Sequence, residues 1–447
     1  MTIFDQVAAQ LPAVLADLEA LVAIESVGAD PARSDEVRRS AEAVAALITD
    51  LGCPDVRVVS SAGGAPAVIA RFPAPAGQPT VCLYAHHDVQ PVGDPADWET
   101  PPFAATEVGG RLFGRGTADD KGGFAVHLAA LRAFDGRPPV GVTLFIEGEE
   151  EIGSPTLATL LAEHHEALAA DVYVIADSTN WAVGQPAFTT SLRGLADCVV
   201  ELRTLDHAVH SGAFGGVVPD ALTSLCRLLA TLHDAEGNVA VKGLAAAPGQ
   251  LLDYPEDRLR EDSGLLPGVE YIGTGSFVER LWSKPALSVI ALDATPVDRA
   301  SNTLIPCARA KISLRLAPGD DAEAASAKLI EHLRDHVPWG AQLEIRAGDT
   351  GEPAVIDFSG PYADAARAAF AQAWPREPVF IGQGGSIPMV ADFAAAYPEA
   401  TILVTAVSDP DSRPHGANES LHLGDFAAAC RAEAAMLDAF SRLPPAP

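Results

Sequence analysis

Apolar positions along this chain follow two different periods. Unbroken apolar runs, TVCLYAHHD from Thr80, VTLFIEGEE from Val142, DVYVIAD from Asp171 and ATILVTAV from Ala400, have the length and bounding residues of buried strands. Beside them, SDEVRRSAEAVAALITDLG, FAVHLAALRAF and SPTLATLLAEHHEALAA space their apolar residues by three and four, and the first runs into Gly52 as a helix stop. Strand and helix in alternation predict an α/β domain.

The middle of the chain reads differently. LADCVVELRT, LSVIALDA, ARAKISLRLAP and AQLEIRAG are strand candidates, with helices in VPDALTSLCRLLATLHD and DAEAASAKLIEHLRDHV, which together predict a smaller α+β unit. In ARAKISLRLAP the alternation puts Ile312, Leu314 and Leu316 on one face and Lys311, Ser313 and Arg315 on the other. The helical pattern YADAARAAFAQAW and the ATILVTAV strand then resume the first style. The expected architecture is therefore an α/β domain with a mostly parallel sheet in 1–187 and 352–447, interrupted by an α+β domain in 188–351.

Composition narrows the partners. At 447 residues the chain is long enough for two cores, and 48% hydrophobic with 20% charged residues is ordinary for a folded protein. A formal charge of −30 argues against nucleic acid or an anionic membrane as partner, since both would repel it. Six scattered cysteines, Cys53, Cys82, Cys198, Cys226, Cys307 and Cys430, form no C-x-x-C pair and suit a reducing cytoplasm. Residues 1–27 carry Asp5, Asp17 and Glu19 where a secretory leader would be basic, so an amphipathic helix is expected there. No apolar run approaches the roughly 18 residues that would suggest a membrane span.

The polar residues at the strand ends carry the candidate chemistry. In YAHHDVQP, His86 and Asp88 lie two apart and point to the same side, so Asp88 is placed to accept a hydrogen bond from the ring nitrogen of His86 that does not face a metal. His87 points the other way and reads as packed or exposed. GRGTADDKGG resembles a phosphate loop only superficially: no Ser or Thr follows the Lys, and Asp119 and Asp120 would repel a phosphate. A loop carboxylate there suits two metals roughly 3.5 to 4 Å apart, or else caps the following helix. In FIEGEEEIGS, adjacent glutamates are tolerable only if solvated or neutralised by cations; on the latter reading Glu151 is the ligand and Glu150 the general base. Asp177 ends DVYVIAD, and His415 follows ATILVTAV. Taken singly, each residue is as well explained by packing or solvation. Together His86, Glu151, Asp177 and His415 fall at or just past the carboxyl ends of apolar strands, the edge at which open α/β sheets bind ligands. An oxygen and nitrogen donor set suits zinc or manganese alike.

YAHHDVQP, GRGTADDKGG, EGEEEIGS, the Asp of VIADSTNW, HSGAFGG, GQGGSIP and RPHGANES, in this order over nearly the whole chain, resemble the carnosinase-like metallodipeptidases, whose wider family includes aminoacylases, carboxypeptidase G and succinyl-diaminopimelate desuccinylase. Ala85 stands where many relatives have Gly. The resemblance implies a zinc-exopeptidase-like catalytic domain, with the inserted domain as lid and dimer contact. It implies two divalent ions, zinc or else manganese, with His86, Asp119 and Asp177 on one and Asp119, Glu151 and His415 on the other. Asp119 would be the bridge, followed by a cis peptide bond to Asp120. Glu150 would be the base and Asp88 the orienting acid. His210 would reach the partner subunit's active site to stabilise the oxyanion, Arg315 would grip the substrate carboxylate, and Thr303 and Ser386 would touch substrate. The implied activity is amide hydrolysis of dipeptides by metal-activated water in a cytoplasmic homodimer. An N-acyl amino acid amidohydrolase is the alternative, and a non-catalytic binding protein on the same fold a remote one.

Overall fold

The computed structural model describes residues 1–249, 252–385 and 388–443. Residues 1–190, 356–381 and 388–443 form one compact unit, and 191–249, 252–355 and 382–385 form another.

The first unit is built on one mixed sheet. Its centre is parallel: Thr80–His86 pairs with Gly141–Glu147 on one side and with Val172–Ile175 on the other, and Thr401–Val404 follows Val172–Ile175. Antiparallel strands Ala67–Phe72 and Asp55–Val59 extend the Gly141–Glu147 edge, and Ala187–Leu192 meets Thr401–Val404 antiparallel through Thr189 and Val404. The central strands are buried almost throughout and mostly apolar, as strands covered on both faces are. Register pairs His86 with Glu147, and Tyr84 with Ile175, so these strands end together and send their following loops to one edge.

Helices Ile3–Val22, Lys121–Ala133, Gly360–Ala373 and Leu423–Phe440 share a core with this sheet. The first begins with a capping box in which Thr2 and Asp5 satisfy each other's backbone N–H groups. Ser34–Asp50 stops where Gly52 takes φ +81°, as the sequence predicts. The single helix expected from Ser154 is instead two short ones, Leu157–Glu163 and His165–Leu168, parted at His164. A small sheet pairs Arg111–Phe113 with both Thr106–Val108 and Ser420–His422. That pairing brings the segment before Asp119 beside the segment after His415.

The second unit is a four-stranded antiparallel sheet in the order Ala286–Asp293, Cys307–Leu316, Gly194–Arg203, Gln342–Gly351. Ile312, Leu314 and Leu316 are fully buried and share a core with helices Ala221–Ala230 and Ala322–Asp335. Each such side chain contributes about 1.5–3 kcal/mol by leaving water. Lys311, Ser313 and Arg315 stay partly exposed on the opposite face.

Candidate active site

His86 ends its strand fully buried, and its two ring nitrogens face different worlds. Nδ1 lies 3.0 Å from the Asp88 backbone carbonyl, which only accepts, so Nδ1 carries the proton. A neutral ring then presents a bare lone pair at Nε2. That lone pair faces Asp119 Oδ1 at 3.1 Å, Glu150 Oε2 at 3.9 Å and Asp177 Oδ2 at 4.0 Å. Acceptors facing an acceptor require a cation between them, whether a proton or a metal ion. His415 repeats the arrangement, with Nε2 3.0 Å from Asp119 Oδ2 and 3.2 Å from Glu151 Oε2. The two imidazoles thus stand against the two different oxygens of Asp119. His86 forms one ligand-distance group with Glu150 and Asp177 and another with Asp119 and Glu151.

The electrostatics tell the same story. Burial, then the charge of Asp177, pushes the Glu150 carboxyl well above its ordinary range, and burial pushes Asp177 up to about 7. Burial disfavours charge on His86, yet its Asp119 and Asp88 contacts raise its pKa well above the usual value; those of His415 to Asp119 and Glu151 raise it to about 10. Asp119 moves down: burial opposes its charge, but hydrogen bonds from His415 and His86 outweigh that. Such crowding of carboxylates around two imidazoles favours bound positive charge, and the oxygen and nitrogen donors present fit divalent ions. When bound, they supply Lewis-acid polarisation of a carbonyl and a lowered pKa for water.

Buried carboxylates fasten the loops that carry Glu151 and Asp119. Asp88 takes the backbone N–H of Glu150 at 3.3 Å and of Glu151 at 3.1 Å. The His86 ring was expected to meet the Asp88 carboxylate; the Asp88 carbonyl lies nearer its Nδ1, at 3.0 Å, with the carboxylate Oδ1 at 3.5 Å. Of the three glutamates, Glu149 accepts from Ala65 N and Thr156 N and serves the loop, leaving Glu150 and Glu151 to face the histidines. Asp120 takes the capping role weighed for this loop, accepting from Gly123 N at 3.1 Å, while Asp119 faces the imidazoles. The Asp119–Asp120 peptide bond is cis. Gly148 is required beside these residues, because a Cβ there would lie 2.3 Å from the Pro66 carbonyl oxygen and 2.8 Å from His87 Nε2. His87 is packed, its Nε2 2.8 Å from the Pro66 carbonyl, and burial lowers its pKa to about 4.

Sequence reasoning did not single out Gln90. Its backbone N–H reaches Glu151 Oε1 at 3.1 Å, and its side-chain amide donates to Glu151 Oε2 at 2.9 Å and to the Glu151 carbonyl. The HDVQP motif contained the residue, but only the folded loops show what it holds.

His210, Thr303 and Arg315 belong to the second unit. His210 and Thr303 are register partners in the pairing of Val209–His210 with Thr303–Leu304. His210 Nδ1 accepts from Gly212 N at 3.0 Å, which leaves the proton of the neutral ring on Nε2. Arg315 pairs with Leu195 on one side and Ala286 on the other. Ser386 lies outside the described residues.

Known proteins resemble this chain over most of its length. A cysteinylglycine-S-conjugate dipeptidase of Corynebacterium striatum is 33% identical, covering 95% of this chain and 94% of that protein. The β-Ala-His dipeptidase of Homo sapiens is 28% identical over 81% of this chain and 75% of its own length. Among solved structures, human carnosine dipeptidase 1 matches with a TM-score of 0.83 at 25% identity, covering 99% of this chain and 98% of that one. Yeast Dug1p, a dipeptidase, shares the fold with a TM-score of 0.84 at 24% identity over 99% and 98%. Residues 82–439, from the strand that ends on His86 to the last helix, match a single family model, and the chain belongs to peptidase family M20/M25/M40.

Proposed function

We propose that this chain is a two-metal dipeptidase in which His86, Asp119 and Asp177 hold one ion and Asp119, Glu151 and His415 the other. The observation that carries the reading is the pair of imidazole nitrogens set against the two oxygens of one carboxylate, Asp119, at 3.1 and 3.0 Å. Zinc is the proposed ion, with manganese the competitor that the same donors accept.

Glu150 takes the proton from the attacking water and returns it to the leaving amine. It lies 3.9 Å from His86 Nε2, and its side chain keeps some access to solvent, as a proton carrier needs. Asp88 holds the backbone under Glu150 and Glu151 in place. The protonated Nε2 of His210 donates to the developing oxyanion, Arg315 grips the substrate carboxylate through its planar fork, and Thr303 and Ser386 contact the substrate. A homodimer supplies His210 from the partner subunit.

A cytoplasmic setting is supported by the free state of all six cysteines. Among the described residues no helix is long and apolar enough to cross a membrane.

The test is a hydrolysis panel on metal-depleted and reconstituted protein. Cys-Gly, its S-conjugates and β-Ala-His head the panel, and tripeptides and N-acyl amino acids complete it. Metal-restored cleavage of dipeptides above N-acyl amino acids is expected. Preference for N-acyl amino acids would move the assignment to the aminoacylase side, and no metal-dependent cleavage of any substrate would remove it.

A further inference from the structure

Arg115 and Glu419, neither of them a candidate ligand, form a buried ion pair. The two are 1% and 0% exposed, 304 positions apart in sequence, and joined by a 2.6 Å bond from Arg115 Nη1 to Glu419 Oε2. Such a pair is poor value for stability, because desolvating two charges offsets most of their attraction, and an apolar pair of similar volume often serves as well. Its other contacts suggest what it does instead.

Glu419 accepts from the backbone N–H groups of Gly116 at 3.0 Å, Ala118 at 2.9 Å and Asp119 at 3.1 Å. The carboxylate therefore grips the backbone of the residue whose side chain faces both imidazoles. Arg115 Nη2 donates to the Gly416 carbonyl at 3.1 Å, directly after His415, and to the Pro91 carbonyl at 3.2 Å, in the loop after His86 and Asp88. The guanidinium also lies over the Trp98 ring, 5.5 Å from its centroid, which fixes its plane. Three segments distant in sequence, each holding a candidate metal ligand, thus meet on one pair of side chains. His415 gains most from such a clamp. It is half exposed and has a left-handed backbone, φ +62°, between Arg413 at +52° and Asn418 at +62°, a conformation that non-glycine residues hold only where their surroundings impose it.

We propose that Arg115 and Glu419 are positioning residues that set the separation of the two metal sites by locking the His86, Asp119 and His415 loops to one another. The proposal rests on the two-metal reading above. Glu419 acts on the bridge and so on both ions. Arg115 acts on the His415 side through Gly416 and on the His86 side through Pro91.

The test is a Co2+ titration of metal-free protein, read by visible absorption well below the unfolding temperature, with circular dichroism to verify folding. Glu419→Gln should weaken binding of both ions by about tenfold or more, the range typical of partners that hold metal ligands in place. Arg115→Lys keeps both charges but loses the planar fork, so weakened binding there cannot be assigned to lost negative potential. It should weaken at least one ion by a similar factor and alter the Co2+ spectrum. A purely structural pair would lower the unfolding temperature of the metal-free protein and leave both affinities unchanged. That result in folded variants overturns the proposal, as does weakening of only one ion in Glu419→Gln. If Glu419→Gln does not fold, Arg115→Lys decides on the same criteria, and failure of both to fold even at saturating Co2+ also overturns it. Wild-type protein that binds fewer than two ions would instead defeat the two-metal reading itself.

Discussion

The two units of this protein differ in how deeply they bury their ion pairs. The first has surface pairs such as Arg57 with Asp55, but it also buries whole pairs: Arg115 with Glu419, His127 with Glu433, and His86 against Asp119. In the second, Arg309 with Asp293 and Arg346 with Glu344 lie at the surface, the buried Asp197 meets a partly exposed Lys311, and the core between sheet and helices is aliphatic. Charges out of water are costly unless something neutralises them. The first unit accepts that cost where it fastens loops and gathers a cation site, while the second rests on apolar packing. Substitutions should therefore fail differently in the two units.

The largest effect is expected at Glu150. Glu150→Ala should lower kcat by about 10²–10⁴-fold, the usual contribution of a positioned general base, with both ions retained. Steady-state kinetics beside elemental analysis of the same sample checks it, and full turnover in the variant would refute the assigned role.

Next comes the buried pair of His127 and Glu433, joined at 2.8 Å with the other ring nitrogen 3.0 Å from the Tyr84 carbonyl. Burial alone would lower the His127 pKa, but the charge and hydrogen bond of Glu433 raise it above its ordinary 6.5. A raised folded-state pKa means that folding takes up a proton. The stabilisation is complete below pH 6.5 and fades as pH rises through the folded value. Denaturant unfolding should show Glu433→Gln destabilised by about 3–5 kcal/mol at acidic pH, with the gap to wild type narrowing as pH rises. A gap independent of pH would contradict this.

In the second unit, Leu314→Ala should cost about 2–5 kcal/mol with little pH dependence, since it opens a cavity and moves no charge. The smallest effect closes the comparison: Arg346→Ala should change stability by less than about 1 kcal/mol, because its bond to Glu344 is solvated on both sides. Both are read from denaturant midpoints.

Much of this was legible in the sequence, for local reasons. The runs that became Thr80–His86, Gly141–Glu147, Val172–Ile175 and Thr401–Val404 were visible because covered strands are unbroken and apolar, and residues just beyond them inherit a shared edge. The antiparallel strands Asp55–Val59, at the sheet edge, and Ala67–Phe72, beside it, were not found, since the first is short with no buried position and the second gives no clean alternation. The alanine-rich helix Leu423–Phe440 is buried along so many positions that its apolar stripe blurs. At the site, Arg115, Glu419 and Gln90 escaped notice because what they bind is set by chain segments far away in sequence. Asp88 was expected to hold the His86 ring through its carboxylate, and its hold on the Glu150 and Glu151 N–H groups was invisible until the loops were folded.

The central claim is that Asp119 bridges two ions. Elemental analysis of purified wild-type protein and of Asp119→Asn, both equilibrated with Zn2+ and freed of excess, tests it most directly. The account predicts two ions per chain in the wild type and loss of both in the variant once circular dichroism shows it folded. One ion per wild-type chain, or two retained in Asp119→Asn, would contradict it.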